Sequence, residues 1–221
     1  MATRSGQHQE IEVKLDASED FRLPPMERLP GVVEVERVDP EILDAVYLDT
    51  PDLRLIRHGA TLRRRTGGDD AGWHLKLPVA QDERLEIRRA PGRAATAVPP
   101  ALKGLVAVHV RGSALEPVAR ISTRRAVHRL LGEDGVVLAE VADDSVTAEA
   151  VGGAMTTEAW REIEVELVDG DRRVLDAARE VLTRSGARTA RNGSKLQRIL
   201  ERRLDGLNGS AAPASGTPKP P

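Results

Sequence analysis

The chain has 221 residues, 40% of them hydrophobic and 31% charged, with no run of about 18 apolar residues that would span a membrane as a helix. It contains no cysteine, which excludes disulfides and thiolate zinc sites. A net charge of −2 and an aromatic content of 2% argue against a nucleic-acid partner, which needs a basic surface or rings on which bases can stack.

The first ten residues, MATRSGQHQE, lack the apolar core of a signal peptide, so the expected location is the cytoplasm. Period-two alternation then marks strands in chain order at 8–15, 32–38, 43–49, 60–66, 72–77, 83–90, 118–131, 136–149 and 160–168. TGGDDAG at 66–72 and GEDG at 132–135 read as hairpin turns. A short helix is expected at 51–59, opened by Pro51, and another at 99–110. Over 171–186, Val174, Leu175, Ala178, Val181 and Leu182 recur at helical spacing, with Asp169 or Asp171 to cap the start and Gly186 to end it. A last helix at 194–204 starts at Ser194. The folded domain is expected over 1–205, and the Gly/Ser/Ala/Pro-rich stretch 206–221 reads as a disordered linker or tail.

The strands carry an unusual division of charge. Glu10, Glu12 and Lys14 share one face of the first strand, and Ile11, Val13 and Leu15 share the other. In the last, Glu162, Glu164 and Glu166 lie opposite Ile163, Val165 and Leu167. Between them, Arg63 and Arg65, His74 and Lys76, and Arg84, Glu86 and Arg88 form the charged faces of three further strands. One wet face is the ordinary explanation for any single strand. Five together, with acid on the terminal strands and base on the middle ones, fit better as the interior of a closed barrel whose apolar faces point outward under helices. Clustered carboxylates suit a hard divalent cation such as Mg²⁺ or Mn²⁺, and Arg and Lys suit phosphate.

These residues resemble the CYTH domain, or triphosphate tunnel metalloenzyme, family. Its E-x-E-x-K signature matches Glu10, Glu12 and Lys14. YLDTPDLRL at 47–55, LRRRTGG, WHLKLP, RLE at 84–86, STRRAVHRL, LAEVADDSVTA, EIEVEL and SKLQRIL follow in the family's order over about residues 8–204. The resemblance implies a mainly β (α+β) fold, an eight-stranded antiparallel β-barrel tunnel with flanking helices, and a divalent-metal-dependent triphosphatase. Carried over, Glu10, Glu12, Asp144, Glu162, Glu164 and Glu166 hold metal. Lys14, Arg63, Arg65, Lys76, Arg84, Arg125 and Lys195 bind substrate, with Lys14, Arg63 and Asp144 in catalytic roles. The choices of Arg125 over Arg124 and Asp144 over Asp143 hang on strand register. The five histidines, 8, 58, 74, 109 and 128, show no ligand spacing, and only His74 is expected to face the tunnel. The scarcity of rings favours inorganic tripolyphosphate over thiamine triphosphate or the adenine nucleotide of a class IV adenylate cyclase. A non-catalytic polyphosphate-binding module and a structural barrel with a solvated interior are the alternatives. The resemblance also implies a CHAD domain as a partner beyond residue 221.

Overall fold

A computed structural model of the chain describes residues 6–92, 97–152 and 156–209. The elements run β1 (Gly6–Ala17), β2 (Glu34–Arg37), β3 (Glu41–Asp49), α1 (Arg54–Arg57), β4 (Thr61–Thr66), β5 (Gly72–Ala80), β6 (Glu83–Arg89) and α2 (Pro100–Val110). They continue through β7 (Glu116–Leu131), β8 (Val137–Ala150), β9 (Thr157–Leu167), α3 (Arg172–Arg184), β10 (Arg188–Thr189) and α4 (Lys195–Gly209). α4 runs into the stretch expected to be a tail, and the rest of that stretch, 210–221, lies outside the described residues.

The sheet order β1-β6-β5-β4-β3-β7-β8-β9 closes on itself through antiparallel pairing of β1 with β9, giving the expected eight-stranded barrel. Closure leaves no edge in the ring. β10 adds to β1 at Leu15 and Asp16, and β2 adds to the far end of β7 at residues 128–131. The segment 32–38 therefore contributes an appended strand rather than a stave of the barrel.

Three apolar clusters hold the helices in place. α3 lays Val174, Leu175, Ala178 and Leu182 on the outward face of β1, β8 and β9, where it meets Val13, Leu15, Val141, Ile163 and Val165. α2 covers β4 to β6 with Leu102, Val106 and Val110 against Leu62, Trp73, Leu75 and Ile87. α4 behaves differently. Its Leu196, Ile199 and Leu200 pack with Ala45, Tyr47, Ala119, Ile121, Val146 and Ala148, side chains of β3, β7 and β8 at one end of the barrel. Together with Leu53 and Ile56 of the α1 region it closes that end.

Local capping follows the sequence with one correction. Asp171 caps α3 by accepting from the Arg173 amide at 2.8 Å, and Ser194 caps α4 by accepting from the Gln197 amide at 3.1 Å. Pro51, however, does not open α1. Asp49 Oδ1 accepts from the amides of Thr50 and Leu55 at 2.7 and 2.8 Å, its Oδ2 from Ile56 at 3.0 Å, and Thr50 Oγ1 from Arg54 at 3.0 Å. These bonds hold residues 50–53 as a turn, with Leu53 in the left-handed region at φ 56°, so the helix shrinks to Arg54–Arg57. At the β4–β5 hairpin Gly67 is required twice over: its φ is +80°, and a Cβ would lie 2.1 Å from the Ile42 carbonyl oxygen.

Candidate active site

The barrel encloses a cavity of about 460 Å³. Its lining includes Glu10, Glu12 and Lys14 of β1, Arg63 and Arg65 of β4, and Lys76 of β5. Arg84 of β6, Arg125 of β7, Glu164 and Glu166 of β9, and Lys195 of α4 complete the expected set that touches it. Asp144 and Glu162 are buried in the wall just behind Lys195.

Register settles the two open choices. β7 and β8 pair Arg125 with Asp144, and both turn inward; Arg125 donates from Nε to Asp144 Oδ1 at 2.8 Å and from a terminal nitrogen to Oδ2 at 2.6 Å. Arg124 is exposed, and Asp143 pairs with Arg161 at 2.7 Å. Because the ring closes between β1 and β9, the two acidic strands become neighbours. Glu12 falls opposite Glu166, and Lys14 opposite Glu164. Like charges facing each other in a sheet are unfavourable. Cations intervene: Lys14 bridges Glu12, at 2.7 Å, and Glu164, and Arg125 reaches Glu164 at 2.6 Å.

Asp144, Glu162 and Glu164 form the tightest carboxylate group among the described residues, with one oxygen of each within 4.8 Å of the others. On β1, Glu12 is linked to it through Lys14 and Glu10 pairs with Lys76, and Glu166 lies nearer the open end, 3.4 Å from His8. Electrostatics divide these acids. Burial raises the Glu10 carboxyl above its ordinary range against the pull of Lys76, and likewise raises Glu162 against Lys195. For Glu12 and Glu164 burial pushes the same way but is outweighed, by Lys14 and Lys76 for Glu12 and by Lys14, Lys195 and Arg125 for Glu164, so both are held down as carboxylates. Lys76 Nζ pairs with Glu10 Oε2 at 2.6 Å. A triad of hard carboxylate oxygen donors fits a divalent cation.

The cationic part is incompletely satisfied. The hydrogen-bond partner given by the structure for Arg63 is the Tyr47 hydroxyl, at 3.0 Å, and its Nε is buried without an acceptor. Arg65 pairs with Asp70 of the β4–β5 hairpin, but its Nε too is orphaned. Burial, reinforced by Arg63 and Arg125 close by, pulls the Arg65 guanidinium down to about 9. Arg84 spends one terminal nitrogen on the Gly193 carbonyl, at 2.8 Å.

Two expectations change. His74 faces inward but is sealed into the wall, with Nδ1 2.8 Å from Glu86 Oε1 and Nε2 2.8 Å from the Asp70 carbonyl; His8, on the face of Glu10, lines the cavity instead. The interior is also not charged all round. β3 and β7 turn Leu43, Ala45, Tyr47, Ile121 and Val127 inward, so the rule of apolar faces outward fails on that side. Tyr47, which orients Arg63, is a site residue that strand alternation alone did not single out; the signal was its place two residues before the buried Asp49.

The family model for the CYTH domain matches residues 8–200. The chain belongs to the CYTH family. It is 44% identical over 212 residues to uncharacterised proteins from two strains of Mycobacterium tuberculosis, covering 90% of this chain. The match spans only 41% of those relatives' length. Among solved structures, a candidate adenylate cyclase from Bacillus halodurans superposes with a TM-score of 0.60 at 20% identity, covering 88% of this chain and 98% of that one. A candidate adenylyl cyclase from Hippeastrum with a dominant triphosphatase activity gives a TM-score of 0.50 at 19% identity, covering 90% and 98%. At these identities the likeness is one of fold. Among the described residues no helix is long and apolar enough to cross a membrane.

Proposed function

We propose that this CYTH domain is a divalent-metal-dependent triphosphatase whose substrate is inorganic tripolyphosphate. The observation that carries the reading is the juxtaposition inside one closed barrel of buried guanidinium groups with unused donors, Arg63 and Arg65, and a carboxylate triad, Asp144, Glu162 and Glu164. The first calls for a polyanion and the second for a cation. The triphosphatase activity of the Hippeastrum neighbour supports the same class of chemistry.

The ion, Mg²⁺ or Mn²⁺, would be held by Asp144, Glu162 and Glu164, with Glu12 and Glu10 of β1 as further carboxylates for it, and it would neutralise phosphate oxygens and acidify a bound water. The chain's own groups do the rest. Arg63, Arg65, Lys76, Arg84 and Arg125 grip the phosphates by charge and by their N–H donors. Lys14 stabilises charge that develops as the phosphoanhydride bond breaks. Glu164, the member of the triad that lines the cavity, accepts a hydrogen bond from the attacking water and orients it, while Asp144, buried behind it, fixes Arg125. Tyr47 fixes Arg63, and α4 keeps bulk water from one end. The longer relatives leave room for a second domain in the same polypeptide, and a CHAD domain is the partner this reading favours.

The test is phosphate release from tripolyphosphate, thiamine triphosphate and ATP, with Mg²⁺, with Mn²⁺ and in chelator. Metal-dependent release that is fastest on tripolyphosphate is the expected result. Undiminished activity in excess chelator would overturn the metal's role. Tight, metal-dependent tripolyphosphate binding with no hydrolysis would make the domain a binding module.

A further inference from the structure

Lys195 sits where its own helix does not favour it. It is the first residue of α4, at the positive end of the helix dipole, and the first turn carries no acidic side chain to offset it. Its side chain is only 8% exposed. What holds it there is the triad: Nζ lies 2.8 Å from Asp144 Oδ2, 2.7 Å from Glu162 Oε1 and 2.8 Å from Glu164 Oε1. An ammonium bonded to one oxygen of each of three mutually close carboxylates occupies the point those oxygens enclose. A divalent ion cannot bond the same three oxygens while the ammonium remains.

The neighbouring cations are placed differently. Arg125 holds Asp144 and Glu164, and Lys14 holds Glu12 and Glu164. Among the ion pairs of the described residues, Lys195 is the cation that joins all three members of the triad. It is therefore the group an incoming ion must move, and Arg125 and Lys14 can stay.

We propose that Lys195 is a built-in competitor for the divalent ion, and that metal binding expels its ammonium from the triad and shifts the first turn of α4. The proposal rests on the metal-dependent reading above. Ion occupancy and the position of the helix that closes the barrel then become one equilibrium. The expelled ammonium has a destination: Lys195, with Gly193 and Ser194, lines the cavity in which the phosphates would lie. Metal and substrate thus favour each other, because the ion frees a cation that the polyanion can use.

The experiment measures Mg²⁺ binding without substrate, in the wild-type chain, Lys195→Met and Lys195→Arg. Calorimetry gives the affinity. Tryptophan fluorescence reports the site directly, because Trp160 Nε1 donates to Glu162 Oε2 at 2.5 Å while the second tryptophan, Trp73, lies in the core under α2 as a constant background. Lys195→Met is expected to bind Mg²⁺ about tenfold more tightly or better, since a competing charge within bonding distance is gone. It should also melt lower than wild type in chelator and recover with Mg²⁺. Lys195→Arg, which keeps a cation, should stay near the wild-type affinity. If Lys195→Met does not fold in chelator, the Mg²⁺ concentration at which it folds reads the same affinity. Equal or weaker binding by Lys195→Met overturns the competition and leaves the metal site standing. No Mg²⁺ binding by any of the three overturns both.

Discussion

Replacing Lys14 by Met keeps the aliphatic stem and removes only the charge. Lys14 is 15% exposed, and its Nζ bridges Glu12 Oε2, at 2.7 Å, to Glu164 Oε1. Glu164 keeps Arg125 and Lys195, but Glu12, with a side chain only 7% exposed, loses the one cation that pairs with it among the described residues. Removing one partner of a buried ion pair strands the other charge, which costs about 3–5 kcal/mol. Lys76, which also lowers the Glu12 carboxyl, trims the expected loss to the low end, about 3 kcal/mol. For a chain of this size that corresponds to a fall of about 6–12 °C in Tm. Scanning calorimetry in chelator measures it, and saturating Mg²⁺ should shrink the gap because the ion supplies the missing charge. With metal and tripolyphosphate, kcat should fall about 10²-fold, as for other preorganised charges, with KM changing less. A Tm drop below about 2 °C, or one untouched by Mg²⁺, would refute the placement of Lys14 between the two carboxylates.

Asp49→Ala leaves three buried backbone amides without their acceptor and should cost about 3 kcal/mol or more in urea unfolding, although Asp49 touches no part of the cavity. Arg63→Ala should raise KM for tripolyphosphate about tenfold with a smaller effect on kcat, and Arg63→Lys should restore little, because the fork and its Tyr47 bond are lost. Burial, reinforced by Arg37, lowers the His128 pKa below 6.5. The unfolded chain then binds more protons, so the His128 contribution is present above that value and fades as pH falls through it. A Tm series from about pH 7 to about pH 5 should therefore be flatter for His128→Gln than for wild type.

The charged faces were legible because alternation is strict where a strand has one face under a helix and the other in the tunnel. Ile11, Val13 and Leu15 against Glu10, Glu12 and Lys14 is such a case, and so is the β9 pattern. The signal fades in β7. There Thr123, Arg125, Val127 and Arg129 face inward and Arg124, Ala126 and His128 outward, so both faces mix polar with apolar and neither neighbouring arginine declares itself. Only the ladder with β8 decides. β3 misleads more actively. Leu43 and Ala45 read as core, yet they line the tunnel, while Ile42 on the outer face is 54% exposed with no helix over it. The last helix was legible as a helix but not as a plug, because its apolar stripe meets inward residues of three strands far away in sequence. With that placement missing, Lys195 had no visible connection to the carboxylates it joins.

A barrel closed at one end by α4 has one route for a polyanion, and the charge along that route sets which polyanion suits it. The deep part holds Lys14, Arg63, Lys76, Arg84, Arg125 and Lys195. The open end, formed by the start of β3, the β4–β5 hairpin and the start of β8, presents Asp39, Glu41, Asp69 and Glu140, with its cations Arg88 and Arg129 already paired to Glu86 and Glu140. No ion pair is formed by Asp39, Glu41 or Asp69 among the described residues. A three-phosphate chain can place its whole charge among the cations. A long chain must leave phosphates at the rim, where unpaired carboxylates repel them at separations within the Debye length of about 10 Å in 0.1 M salt. kcat/KM per chain end should therefore be lower for long polyphosphate than for tripolyphosphate, by about tenfold at low salt, and the gap should narrow as salt rises. The combined variant Asp39→Asn, Glu41→Gln, Asp69→Asn should narrow it at constant salt while leaving tripolyphosphate turnover nearly unchanged. Equal hydrolysis of both chain lengths by the wild type, or a gap indifferent to salt and to the rim variant, would show that the acidic rim does not select for length.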